Sequence, residues 1–163
     1  MHYSYMREST AAGAMAGILA GCCMALFMMF LCANAGMGFW HPLALVGGTV
    51  YGIDAIAGGM GPVVSGIVFH MIASSTVGAS FGFFLSKMRA RADHATAWGV
   101  FFGLITWAIT TFVFLPLMNQ TMNERIHLAA GWWFFSFLVY GVVLGSTPMI
   151  RHSMGQEVEV ISF

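Results

Sequence analysis

AAGAMAGILAGCCMALFMMFLCANA, residues 11–35, carries no charged side chain. A helix rises 1.5 Å per residue and needs about 20 apolar residues to cross roughly 30 Å of hydrocarbon, so this run is long enough to span a bilayer. It also exceeds the roughly 7–15 residues of a signal-peptide core, and only Arg7 precedes it among basic residues, which marks it as a retained transmembrane helix. Three more stretches read the same way: Gly61–Ser86, Ala95–Leu117 and Leu128–Ile150. Composition agrees. Of 163 residues 59% are hydrophobic and 7% charged, with a mean hydropathy of +0.82, where a soluble domain carries about 25% charged residues to cover its surface. The expectation is an all-α membrane protein, a single domain over 1–163 built as a four-transmembrane-helix bundle.

The basic residues orient it. Arg7, Lys87, Arg89, Arg91 and Arg151 fall on one side of this map and Arg125 alone on the other. Lys and Arg are retained in the cytoplasm during insertion, so both termini are expected there, in a bacterial inner membrane. Residues 36–60, GMGFWHPLALVGGTVYGIDAIAGGM, join spans one and two on the outer side. Pro42 suits the first turn of a short helix ending near Tyr51. That segment is expected to lie in the interface with Trp40 and Tyr51 at headgroup level, or to dip in and return. The cytoplasmic tail, 151–163, ends in GQEVEVISF, which alternates like a strand or is loose.

Each span carries glycines four apart: Gly13, Gly17 and Gly21; Gly78 and Gly82; Gly99 and Gly103; Gly141 and Gly145. Four residues is just over one turn, so each set forms a smooth groove through which helices associate in lipid. The sets lie near the cytoplasmic end in all four spans, so the chain reads as two similar helical hairpins in parallel repeat around a pseudo-two-fold axis.

Chemistry-bearing residues are sparse. Zero net charge argues against a nucleic-acid partner. Cys22, Cys23 and Cys32 lie within the first span and read as small hydrophobes. No span contains Asp, Glu, Lys or Arg, which counts against ion-coupled transport and leaves little to line a passive channel. No Ser/His/Asp or Cys/His set is present, so the chain is not expected to be an enzyme. His70, deep in span two, is the one candidate cofactor ligand, for haem or copper. The plainer reading is a neutral imidazole bonded to a backbone carbonyl or to Ser74. On the outer side His41, Met118, Met122 and His127 form the candidate metal set, because thioether and imidazole suit Cu(I); methionine in an apolar helix is otherwise a pliable packing residue.

The segments GFWHPLALVGG (38–48), FHMIASSTVGASFG (69–82), GVFFGLITWAITTFVFLPLMN (99–119) and FLVYGVVLG (137–145) give the chain a resemblance, over about residues 11–146, to a group of small bacterial four-helix membrane proteins of unassigned function. In that group the position of Phe137 is often histidine, so any pairing with His70 that the resemblance implies is lost here. The functional expectation is a non-catalytic accessory subunit of a respiratory, photosynthetic or membrane-bound oxidase or monooxygenase complex. It would pack against other integral membrane subunits and bound lipids. The alternative is a small haem- or copper-binding membrane protein built on His70 and the outer histidines and methionines.

Overall fold

Backbone N–H and C=O groups in an apolar medium must be satisfied within their own segment, and every regular element described is helical. The computed structural model describes residues 2–88 and 94–161, so Arg89 and Arg91 lie outside the described residues. The elements are α1 (His2–Asn34), α2 (His41–Tyr51) with a 3-10 turn at Gly52–Ile56, α3 (Met60–Met88), α4 (Ala95–Ile109), a π turn at Thr110–Phe114, α5 (Leu115–Met118), α6 (Gln120–Ile126), a 3-10 turn at His127–Ala129, α7 (Ala130–Leu144) and α8 (Thr147–Ile161). Four helices are long and apolar enough to cross a membrane: Tyr5–Asn34, Met60–Met88, Ala95–Met118 and Ala130–Met154.

Two departures from the sequence reading have local causes. The tail expected to alternate like a strand is instead helical as far as Ile161, as part of α8. A lone strand leaves its backbone groups unpaired, whereas a helix started at Thr147–Pro148 bonds them internally. The third span is also not uniform. Pro116 has no N–H, and its ring crowds the carbonyl of Phe112; the wider π turn immediately before Leu115 accommodates it. Pro42 does occupy the first turn of α2, and Trp40 and Tyr51 at its two ends are exposed.

Helix α1 packs along α3, α4 along α7, and α1 along α7, while α8 returns against α1 and α2 lies on α3. The remaining side of the bundle, α3 against the third span, closes through large rings. Phe69 meets Phe114, Phe81 meets Phe102, and Phe84 meets both Trp98 and Phe102, with centroids 5.4–6.0 Å apart. Ala12, Ala16 and Ala20 are fully buried on α1, and Ala16 and Ala20 share the main core with Phe81, Leu115, Phe137, Tyr140 and Leu144. The first turns of α1 and α8 meet at one end of the bundle, where the Arg151 guanidinium lies 4.5 Å from the centre of the Tyr5 ring. The other end holds α2 and α6 and is called the loop end below.

Candidate functional site

The glycines bring pairs of helices to backbone contact. A Cβ placed on Gly78 would overlap the Gly13 carbonyl oxygen and lie 2.6 Å from the Cα of Gly17; one on Gly13 would lie 2.8 Å from the Cα of Gly82. Gly17 abuts the Ser74 carbonyl in the same way, whereas Gly21 faces the Ser74 side chain. Across α4 and α7, a Cβ on Gly99 would lie 2.8 Å from Gly145 N, one on Gly103 would lie 2.7 Å from Phe137 O, and one on Gly141 would lie 2.7 Å from Gly99 O. A third close crossing escaped the sequence reading. Gly47 of α2 abuts the carbonyl of Pro62, and Gly66 of α3 abuts that of Leu43.

Such proximity lets side chains of one helix reach backbone carbonyls of another. His70 Nε2 lies 3.0 Å from Gly21 O; a carbonyl only accepts, so this nitrogen carries the proton. One turn further along α3, Tyr140 from α7 donates to Ser74 O at 2.9 Å. Trp133 Nε1 donates to Thr111 Oγ1 at 2.9 Å, inside the π turn, and Ser136 Oγ donates to Trp133 O at 2.7 Å. Ser9 Oγ donates across α1 and α3 to Gly82 O at 2.9 Å. Trp107, half-buried against Phe112 and Phe134, keeps its indole N–H buried with no partner among the described residues.

The candidate metal residues have separate surroundings. Met118 is exposed and opens on a cleft, while Met122 is packed in the core. His127 is exposed in its 3-10 turn. His41 is half-buried, and burial first, then the positive charge of Arg125, hold its imidazole below the ordinary histidine range. Among the described residues no three His, Cys, Asp or Glu side chains converge as a metal-binding group. A soft pair not singled out from sequence does occur: Cys22 Sγ lies 3.9 Å from Met71 Sδ.

The loop end is organised by Asn119, a residue whose role the sequence reading missed. It separates α5 from α6 with φ −146° and ψ 73°, and its side-chain oxygen caps α6 by accepting from Met122 N at 3.0 Å. Its amide donates to Leu45 O at 2.8 Å and to Thr49 Oγ1 at 3.1 Å, so one side chain, 2% exposed, latches α2 to α6. Gly48 leaves room for it, since a Cβ there would stand 3.0 Å from Asn119 Oδ1. The available signal was an Asn shortly after Pro116, a common N-cap residue at a helix restart. Beside this latch lies an open cleft of about 550 Å³ between the end of α2 and the α5–α6 corner. Thr49, Gln120, Thr121 and Glu124 supply its polar wall, and Ile53, Leu117 and Met118 its apolar one.

The chain matches no family model, no curated protein and no solved structure.

Proposed function

We propose that this chain is a non-catalytic subunit of a larger bacterial membrane complex, packing against other integral membrane subunits and lipid. The observation that carries this reading is the use of the polar interior. His70, Tyr140, Trp133, Ser136, Ser9 and Asn119 are each hydrogen-bonded within the bundle. All but Ser136, which bonds back within α7, therefore serve to tie one segment of the bundle to another. Meanwhile the third span, Ala95–Met118, is the least enclosed of the four and turns Phe101, Ile105, Ile109 and Phe112 outward, an apolar face suited to another membrane helix or to acyl chains.

We read both termini as cytoplasmic, because Arg7, Lys87 and Arg151 belong to the end where α1 and α8 begin and Arg125 to the loop end. The two hairpins are read as copies of one unit, and the glycine contacts support this. Gly13 and Gly99 are 86 positions apart, as are Gly17 and Gly103; Ser74, Gly78 and Gly82 stand 63 positions before Phe137, Gly141 and Gly145. Under that correspondence Gly13 against Gly78 matches Gly99 against Gly141, and Gly17 against Ser74 matches Gly103 against Phe137. The resemblance to small bacterial four-helix proteins belongs to the same proposal.

A second reading, haem or copper binding through His70, draws on the Cys22–Met71 sulfur pair beside it. The visible spectrum and metal content of the purified chain separate the two. The subunit reading expects no stoichiometric Soret band or copper, and normal assembly of His70→Gln, whose amide still offers Gly21 a donor. Stoichiometric haem or copper that is lost in His70→Gln would overturn it.

A further inference from the structure

We propose that the loop-end cleft is a headgroup site for a lipid bearing a primary ammonium. It rests on the four apolar helices lying in a bilayer and is independent of the subunit reading. At about 550 Å³ the cleft falls in the range of ligand pockets, roughly 300–1,000 Å³. Its walls are held in place by Asn119, which bonds α2 on one side and caps α6 on the other, so it is preformed.

Its electrostatics favour a cation. Glu124 is the one charged side chain among the described lining residues; Arg125, next in the chain, does not line it. Gly48, Thr49 and Val50, at the C-terminal end of α2, form the facing wall, and the last turn of a helix carries partial negative charge on its carbonyls. The cation is expected to carry N–H donors. A primary ammonium offers three, matching a carboxylate, hydroxyls and carbonyls. A trimethylammonium offers none and is usually held by aromatic faces, and none of the described lining residues is aromatic.

The rim explains why the ammonium should belong to a lipid. Ile53, Leu117 and Met118 are 63%, 75% and 57% exposed, and Leu117 follows the exposed Phe112 and Val113 by about one turn of the third span. A free amine would leave that apolar wall without a partner, whereas an acyl chain would lie along it.

The test uses the full chain in mild detergent and native mass spectrometry with phosphatidylethanolamine, phosphatidylcholine and phosphatidylglycerol of identical acyl chains. The expected result is preferential retention of one phosphatidylethanolamine. Glu124→Gln should lower that retention about three- to fivefold, toward the phosphatidylcholine level, and Glu124→Asp should largely keep it. Because Glu124 is exposed, the unfolding midpoint should not move. Equal retention of all three headgroups, or unchanged phosphatidylethanolamine binding in Glu124→Gln, would overturn the proposal. Displacement of the lipid by free ethanolamine would assign the site to a soluble amine and also overturn it.

Discussion

Replacing Gly78 by alanine adds one methyl group where two backbones touch. That carbon would overlap the Gly13 carbonyl oxygen and stand 2.6 Å from Gly17 Cα and 2.8 Å from Gly17 N. Carbon atoms pack comfortably at about 3.5–4.0 Å, so α1 and α3 must separate by about 1 Å, and no flexible side chain can give way instead. Overpacking of this kind costs about 1–3 kcal/mol. The separation also lengthens the Ser9–Gly82 and His70–Gly21 hydrogen bonds, now 2.9 and 3.0 Å, each worth about 0.6 kcal/mol in a membrane bundle. Against this, alanine is a better helix former than glycine by about 1 kcal/mol. The net expectation is a loss of about 1–3 kcal/mol. Gly131→Ala is the control, because a Cβ there meets nothing within 4 Å and only the propensity gain remains. Both variants would be unfolded by sodium dodecyl sulfate titration in mixed micelles, with helicity as the readout. A difference between them below about 0.5 kcal/mol, smaller than any of the terms above, would refute the backbone-contact reasoning.

Three further outcomes are expected. Tyr140→Phe removes the bond to Ser74 O and should cost about 0.6–1.7 kcal/mol in the same titration; a midpoint equal to the parent's would count against that bond. Asn119→Ala removes a helix cap and the latch to α2, costing about 2–3 kcal/mol. Amide hydrogens of residues 45–51 should then exchange faster, and unchanged protection would show that α2 is held by its contact with α3 alone. His41 titrates below its ordinary range in the folded chain, through burial and Arg125, so the unfolded chain takes up the proton first as pH falls. Its contribution is therefore complete above the unfolded value, about 6.5, and is lost as pH drops through the folded value. The fall in stability below that pH should be shallower in His41→Gln; identical profiles would exclude His41 as its source.

The spans were legible because twenty-odd uncharged residues have few options in lipid, and the glycine sets were legible because their spacing places them on one helical face. Pro42 marked the start of α2 for a similarly local reason. What escaped notice depends on distant parts of the chain. Gly47 and Gly66 lie on different helices and neither has a glycine four residues away on its own helix, so no spacing reveals that each abuts the other helix's backbone. Tyr140 reads as an ordinary apolar-helix residue until α7 lies against α3. The alternating EVEV of the tail misled because alternation describes side chains, whereas the continuing helix is decided by where backbone groups find partners. At the candidate metal set, sequence proximity of Met118 and Met122 did not imply a common direction, since one opens on the cleft and the other enters the core.

The most direct test of the central claim is to tag the chain in its native membrane, solubilise it in digitonin and resolve it by native electrophoresis with a denaturing second dimension. The subunit account predicts that it migrates in a larger assembly, in fixed stoichiometry with other integral membrane polypeptides. Recovery of the chain alone, carrying stoichiometric haem or copper, would contradict it.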